Sequence, residues 1–158
     1  QLAEYTTANG AVGFILNKQL DYTLKDIIPE INSNLPLYNG GPVEQDNLYF
    51  IHKIPELIPG SVKISQGIFW GGDFKAISKL LADDTLTQTQ IRFFLGYSGW
   101  SAQQLREELE LNSWVVTPNA YKNNIIGNTN INIWKEKMLE FGGSYKLWSN
   151  APQNPSYN

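Results

Sequence analysis

The sequence predicts one α/β or α+β domain built around a mixed β-sheet. Short apolar runs typical of strands alternate irregularly with short amphipathic segments, and no internal repeat or linker interrupts them. At residues 70–73 and 96–101, a predicted strand is followed by glycines and then by a predicted helix, and we call these two segments the glycine corners. The chain has 158 residues, 42% of them hydrophobic and 13% aromatic, and it is therefore long enough to bury a core without disulfides.

The first predicted elements are a hairpin, a strand and a short helix. Asn9-Gly10 is a strong hairpin signal, and the apolar run that follows it predicts a buried strand from Val12 to Leu16. Residues 22–31 predict a helix, which Pro29 keeps short. The apolar residues at helical spacing in this segment are Leu24, Ile27, Ile28 and Ile31.

Three extended segments follow this helix. Residues 36–43 predict a strand that ends at Gly40-Gly41-Pro42, where the chain must turn. Residues 47–53 predict a second strand. Residues 56–72 contain a Pro-Gly turn and then an extended stretch, which ends at the first double-glycine corner.

The next pair of elements is a helix and a central strand. Asp73 is a good N-cap residue, so we expect a helix from Phe74 to Ala82 directly after the corner. The apolar stripe of this helix consists of Phe74, Ile77, Leu80 and Leu81. Residues 91–97 are almost wholly apolar and predict a strand in the middle of the sheet.

The second corner lies in the segment LGYSGWSAQQLREEL, residues 95–109. Ser101 and Gln104 match a capping box, in which the hydroxyl accepts from the Gln104 N–H and the Gln104 side chain reaches back to the Ser101 N–H. A helix is therefore predicted from about Ala102 to Leu111. We expect Ala102, Leu105 and Leu109 to face the core.

The C-terminal part predicts one more strand and one more helix. Residues 113–118 predict a strand that Pro118 ends, and 131–141 predict a helix that Gly142-Gly143 closes. The side chains expected to face inward are those of Ile131, Trp134, Met138 and Phe141. The domain is expected over residues 1–147, with a loose tail at 148–158 that is rich in Asn, Pro and Ser.

Composition excludes some classes of partner and bears on whether a segment precedes Gln1. The net charge of -3 and the presence of only two arginines, Arg92 and Arg106, argue against direct nucleic-acid binding. No apolar run approaches the roughly 20 residues of a membrane span, so no membrane association is predicted. Because Met138 is the one methionine, we expect an N-terminal segment to precede Gln1.

No catalytic set, metal site or cofactor site is predicted. Ser98 lies in a sequence one residue short of a nucleophile elbow, since Trp100 replaces the second glycine, and His52 is the one available base. An anion at either glycine corner would compete with Asp73 and Ser101 for the same backbone N–H groups. The chain has no cysteine, and its adjacent acidic pairs lack a spacing that would favour a metal.

Two functional hypotheses remain open. The first is a non-enzymatic regulatory or interaction protein, a monomer or weak homo-oligomer, with Trp100 and Trp148 as candidates for an exposed recognition surface. The alternative is a small-molecule-binding domain or weak hydrolase-like enzyme with a cleft near the glycine corners. The polar groups proposed for that cleft are Asn17, Asp73, Gln104 and Glu108.

Several motifs in this order also resemble a known family. They are GFILNK (13–18), NGGPV (39–43), YFIHK (49–53), FLGYSGWSAQQLREEL (94–109), NSWVV (112–116) and WKEKMLEFGG (134–143). Together they closely resemble the AlgH/YqgE-type bacterial proteins, often labelled as transcriptional regulators. The resemblance implies a bifurcated sheet folded into a pseudo-barrel with helices around it, an additional pair of N-terminal strands, and a cytoplasmic location. It implies no catalytic residue, because the family's molecular function is not established.

The resemblance can be followed residue by residue. The matching positions are Asn17, Gly40, Gly41, Pro42, Gly96, Gly99, Trp100, Gln104, Leu105, Glu108 and Trp114. The chain departs from the pattern at Gln19, Ser98 and Arg106, where Pro, Ala and Glu are usual. Because alanine is usual in the family at the position of Ser98, this serine cannot be a nucleophile shared by the family, which weakens the hydrolase hypothesis further. The residues predicted to bind a ligand or partner are Asn17, Gly40, Gly41, Pro42, Asp73, Gly99, Trp100, Gln104 and Glu108.

Overall fold

The computed structural model describes residues 2–7, 10–128 and 133–150. Their contacts divide the chain after Asn128 into two compact units. The first unit contains the sheet, and the second contains two short helices. The expected limits of the domain at residue 147 and of the loose tail after it stay predictions.

The described residues of the first unit form eight strands, three α-helices and a 3-10 helix. The strands are β1 (Leu2–Thr7), β2 (Gly10–Ile15), β3 (Gln19–Thr23), β4 (Pro36–Asn39), β5 (Val43–His52), β6 (Val62–Ser65), β7 (Ile68–Trp70) and β8 (Ile91–Trp100). The helices are α1 (Leu24–Ile27), α2 (Phe74–Ala82) and α3 (Ala102–Glu110), and the 3-10 helix is Lys122–Ile125. In the second unit, the described helices are α4 (Ile133–Phe141) and α5 (Tyr145–Trp148).

The long strand β8 organises a mixed sheet whose edge is split between two partners. β5 lies antiparallel along one edge of β8, from the pair His52–Ile91 to the pair Val43–Tyr97. On the other edge, β4 is parallel to residues 93–95 and β2 is antiparallel to residues 98–100. The hydrogen-bonded order is β1-β2-β8-β5-β7-β6, and β3 extends the branch through β4. The mixed, bifurcated sheet is therefore confirmed, and over the described residues it does not close into a ring.

Glycines allow the backbone of residues 40–43 to approach β8 closely at the point where one edge of β8 changes its partner from β4 to β2. Gly96 has φ +70°, and a Cβ there would lie 2.7 Å from the carbonyl oxygens of both Gly41 and Val43. A Cβ on Gly40 or Gly41 would likewise collide with the backbone of β8. The turn Gly40-Gly41-Pro42 is therefore packed directly against the middle of the central strand.

Alternate side chains of β8 face two separate hydrophobic cores. Ile91 and Phe93 belong to the core beneath α1 and α2, whereas Phe94 belongs to the core beside β2 and β7. This alternation is what a strand buried on both faces requires. Phe14 stacks on Phe94 with ring centroids 4.7 Å apart, which joins β2 to the second core.

Some predicted elements differ in extent from those observed. β1 and β2 pair antiparallel up to Thr7 and Gly10, and Asn9 of the predicted hairpin signal lies outside the described residues. The helix expected over 22–31 is confined to α1, and β5 begins four residues before the predicted start at Asn47. The predicted strand at 113–118 is wrong, because these residues join no ladder of the described structure.

The faces of three helices also differ from the expectation. α2 begins at the predicted N-cap Asp73, yet it buries Ile77 and Leu81 while Phe74 is exposed. α3 buries none of its residues, so the predicted core-facing stripe through Ala102, Leu105 and Leu109 is wrong. An amphipathic pattern gives the apolar face of a helix but does not establish that another element covers it.

In the second unit, α4 buries a different face from the predicted one. Its buried residues are Ile133 and Lys137, one turn apart, and Phe141 is exposed. Trp134 and Met138 are only partly buried, and Ile131 lies outside the described residues. Gly142 and Gly143 have φ +66° and +53°, which is the left-handed conformation expected of a glycine helix stop.

Candidate functional site

The second glycine corner forms the most highly connected polar cluster among the candidate residues. β8 ends at Trp100, Ser101 is the N-cap of α3, and its Oγ accepts a hydrogen bond from the backbone N–H of Gln104 at 3.1 Å. This half of the predicted capping box is confirmed. The other half is not, because the Gln104 side chain donates instead to Glu108 Oε1 at 2.9 Å.

Glu108 accepts three N–H groups at this corner. Its Oε2 accepts from the indole Nε1 of Trp100 at 3.1 Å and from that of Trp114 at 2.7 Å, in addition to the bond from Gln104. The hydrogen bonds from Trp114, Gln104 and, to a smaller degree, Trp100 hold the pKa of the Glu108 carboxyl below its ordinary value. The carboxylate is thus engaged as an acceptor rather than poised to remove a proton.

The two tryptophans are fixed on either side of this carboxylate. Their ring centroids lie 5.6 Å apart at an interplanar angle of 80°, an edge-to-face arrangement. Trp100 is partly buried, while Trp114 is exposed. Because both indole N–H groups are used by Glu108, the rings are held in place although part of their surface reaches solvent.

Exposed apolar residues are concentrated in the segment of the chain that contains Trp114. Leu111 is 77% exposed and Val116 is 76% exposed, and Val115 and Leu109 are also exposed. We call Leu109, Leu111, Trp114, Val115 and Val116 the α3 apolar surface. Five exposed large apolar residues within eight positions form a concentration that isolated surface hydrophobics do not show.

Ser98 and His52 are not arranged as a nucleophile and a base. Ser98 is buried, and its Oγ donates to the carbonyl of Gly40 at 3.4 Å. His52 pairs with Ile91, seven residues before Ser98 on β8, which puts about 23 Å between His52 and Ser98 at roughly 3.3 Å per strand residue. The hydrolase hypothesis built on this pair is therefore excluded by geometry.

His52 instead ties β5 to its neighbours. Its Nδ1 accepts from the Ile54 N–H at 3.2 Å, and this leaves Nε2 as the protonated nitrogen that donates to the Gly71 carbonyl at 3.1 Å. Burial lowers the pKa of this histidine, against smaller raising effects of the Gly71 hydrogen bond and of Glu56. A neutral structural imidazole accounts for all of these contacts.

One of the two arginines is removed from the surface. Arg92 is buried, and its guanidinium donates to the carbonyls of Leu16 and Asn128 at 2.8 Å each. It also lies over the Tyr38 ring at 4.5 Å. Burial lowers its pKa, which the Tyr38 side chain partly offsets. Arg92 is thus occupied inside the fold and does not face a phosphate backbone.

The remaining candidate residues lie at three other places. Gly40-Gly41-Pro42 forms the turn packed on β8, where the Gly41 N–H donates to the Asn39 side chain at 3.0 Å. Asn17 lies in the turn between β2 and β3. Asp73 caps α2 by accepting from the Lys75 N–H at 2.8 Å.

The structure therefore brings only part of the predicted set together. Gly99, Trp100, Gln104 and Glu108 meet at the end of β8. Asp73 follows β7, whose partner β5 ends beside the beginning of β8, so it lies at the opposite end of the sheet from Glu108. In the described ranges, no group of three or more acidic or histidine side chains could hold a metal ion. No described helix is long and apolar enough to cross a membrane.

Comparison with known families places the chain. A family profile described as DUF179, AlgH-like, matches residues 2–146. The chain belongs to the AlgH-like family. The resemblance that the motifs at the glycine corners indicated is thereby confirmed.

AlgH-like relatives and solved structures agree with this assignment. A UPF0301 protein of Bacteroides thetaiotaomicron is 42% identical over 156 residues, covering 96% of this chain and 78% of the relative. A UPF0301 protein of Chlorobium phaeobacteroides is 38% identical over 151 residues, covering 95% and 80%. The solution structure of AlgH from Pseudomonas aeruginosa aligns with a TM-score of 0.65 at 20% identity, covering 98% of this chain and 86% of that one. A crystal structure of a Corynebacterium diphtheriae protein gives a TM-score of 0.69 at 18% identity, covering 93% and 79%.

Sequence reasoning underestimated Trp114 in this AlgH-like chain. It matched the family pattern, yet its neighbours Val115 and Val116 favoured a strand. The structure makes it the third N–H donor to Glu108. A signal was present in the spacing, because an indole six residues after a helical glutamate can fold back onto the end of that helix.

Proposed function

We propose that this AlgH-like protein acts by binding a partner protein through the α3 apolar surface. The observation that carries the proposal is a helix with no buried residue, followed directly by exposed Leu111 and Val116. Large apolar side chains gathered in one place on a soluble domain typically mark an interaction surface. Tryptophan is enriched at such interfaces and at their energetic centres, which adds weight to Trp114.

The rigidity of the corner supports the same role. A nine-residue helix is marginally stable alone in water, and helices in proteins usually gain their stability by burying a face. Here the Ser101 cap and the Glu108 hydrogen bonds hold α3 while Leu109 stays exposed and Leu105 is only partly buried. A surface ordered before binding loses less entropy when the partner arrives.

The charges around this surface favour a particular kind of partner. α3 carries Glu107, Glu108 and Glu110 against the single cation Arg106. A partner with an apolar centre and a basic rim would be attracted and oriented by this excess of negative charge. In this proposal, a regulatory effect passes through a protein contact, and the cytoplasmic location implied by the resemblance stays a prediction.

The experiment compares two double variants that make the same Leu→Ser and Val→Ser changes at exposed positions. Leu111→Ser/Val116→Ser alters the proposed surface, and Leu57→Ser/Val62→Ser is the matched control, whose residues are 47% and 43% exposed elsewhere in the first unit. Each full chain is used for affinity enrichment from bacterial lysate, with quantification by mass spectrometry. We expect partners enriched by the wild type and by the control to be lost with the surface variant. The same proteins at equal abundance on all three chains would refute the proposal.

A further inference from the structure

The first unit contains a cavity of about 1040 Å³, and its lining shares no residue with the α3 apolar surface. Residues 28–36, helix α2 and the segment 84–88 line it. No residue of α3 takes part. This volume lies near the upper end of the usual range for small-molecule sites, about 300–1,000 Å³.

The walls of this cavity are half apolar and half polar, with eight residues of each kind. Their apolar residues include Ile28, Ile31, Leu35, Leu81 and Leu86, and the exposed ring of Phe74 stands at the start of α2. Several of these side chains belong to the larger hydrophobic core, so they are held by packing below the cavity. The apolar half of the lining favours a ligand that carries an alkyl or acyl chain.

The charged groups of the lining have a single sign. Glu30 and Asp84 are both exposed carboxylates at the cavity, and its lining contains no lysine, arginine or histidine. Coulomb attraction therefore favours a cation and disfavours an anion in this space. The Phe74 ring adds a face on which an organic ammonium group is also stabilised.

A buried hydroxyl supplies a separate polar group in the same lining. Ser33 is only 9% exposed, and its Oγ accepts a long bond of 3.4 Å from the Leu35 N–H. Within the described ranges its hydroxyl proton has no acceptor. A buried donor in this state gains a hydrogen bond when a ligand brings an oxygen acceptor to it.

We propose that this cavity binds a small organic cation that joins an apolar chain, an oxygen acceptor and an ammonium group. The apolar chain of the ligand lies against the aliphatic residues of the lining, and its oxygen accepts a hydrogen bond from the Ser33 hydroxyl. Its ammonium group faces Glu30 and Asp84. The three requirements come from three independent features of the lining. This site is separate from the α3 apolar surface and does not depend on its role.

The test uses a probe with these three parts and an analogue of opposite charge. N-(3-aminopropyl)hexanamide carries the chain, the amide oxygen and the ammonium group, and N-hexanoyl-4-aminobutanoate keeps the first two but ends in a carboxylate. Both are titrated into the full isotope-labelled chain, and amide chemical shifts are followed by NMR. We expect shifts in residues 28–36 and 84–88, with a dissociation constant at least fivefold lower for the cation.

Variants then assign the contributions of the individual groups. Glu30→Gln and Asp84→Asn should each weaken the cation by about two- to fivefold, the range for a solvent-exposed ion pair, without weakening the anion. Asp46→Asn removes the same charge from an exposed position on β5 and should leave binding of the cation unchanged. Ser33→Ala should weaken both compounds by a similar factor, because both retain the amide oxygen.

The outcomes separate clearly. Equal affinity for the cation and the anion, or unchanged cation affinity in both Glu30→Gln and Asp84→Asn, would overturn the charge assignment. Shifts confined to other parts of the chain, or none with about 10 mM cation, would overturn the site. Binding that persists in Leu111→Ser/Val116→Ser would support a ligand site independent of the protein-binding surface, and its loss there would contradict that independence.

Discussion

Gly96 provides a test of how the split edge of β8 is built. Gly96 has φ +70°, and Gly60 has the similar value of +76°, so alanine at either position must adopt a left-handed conformation. That conformation costs a residue with a side chain roughly 1–2 kcal/mol. The surroundings differ, because a Cβ at Gly60 meets no atom within 4 Å, whereas one at Gly96 lies 2.7 Å from two carbonyl oxygens.

The magnitude follows from this difference. Gly96→Ala should carry the left-handed cost and a further 1–3 kcal/mol or so for forcing the β4–β5 turn away from β8. We expect Gly60→Ala to lower the free energy of unfolding by about 1–2 kcal/mol and Gly96→Ala by about 2–5 kcal/mol. At about 2–4 °C per kcal/mol for a chain of this size, the second variant should melt clearly below the first.

Urea unfolding followed by tryptophan fluorescence measures both variants under the same conditions. The midpoint should fall further for Gly96→Ala, with a similar dependence on denaturant if the unfolded states are alike. A loss of stability at Gly96 no larger than that at Gly60 would refute the close approach of the turn to the central strand. A fall confined to Gly60→Ala would have the same meaning.

Three further predictions concern polar groups. Because the folded state lowers the pKa of His52, the unfolded chain takes up a proton at higher pH than the folded chain does. The free energy of unfolding should therefore fall as the pH drops below about 6.5, by at most roughly 1.4 kcal/mol per pH unit. Urea midpoints measured from pH 7 to 5 check this, and the same pH dependence in His52→Gln would contradict it. Glu108→Ala removes the hydrogen bonds from Trp100 and Trp114, so amide hydrogen exchange in α3 should become faster while exchange in β8 stays unchanged. Equal acceleration in α3 and β8 would show that Glu108 stabilises more of the fold than α3. Arg92→Lys should cost about 1–3 kcal/mol in urea unfolding, since one ammonium cannot reproduce both backbone contacts of the guanidinium, and wild-type stability would disprove that role.

Local signals were sufficient for the elements whose ends are set by their own residues. Asp73 and Ser101 cap α2 and α3 as their sequence context predicted, because a side-chain oxygen next to a helix start satisfies nearby N–H groups without distant partners. The apolar run of β8 likewise predicted a central strand, and the structure places its side chains in a core on each face. The split of its edge was expected only from the family resemblance, since strand partners are chosen by contacts far apart in the chain.

The failures have the same origin in non-local contacts. Residues 113–118 have strong strand propensity, yet a strand needs a free edge to pair with, and here Trp114 is held by Glu108. β5 begins at Val43 although its first residues are polar, because pairing with β8 uses the backbone. The cavity escaped prediction because its three lining segments converge only in the folded chain.

The position of β8 also bears on the order in which the molecule can be assembled during synthesis. β2, β4 and β5 all pair with a strand that leaves the ribosome after they do, since β8 begins only at Ile91. Until then, the earlier strands have open edges and their apolar faces have no common partner, which is the condition under which nascent chains aggregate or need a chaperone. We therefore expect the sheet to form in a late, concerted step, and a chain that ends at residue 90 to remain without a stable fold.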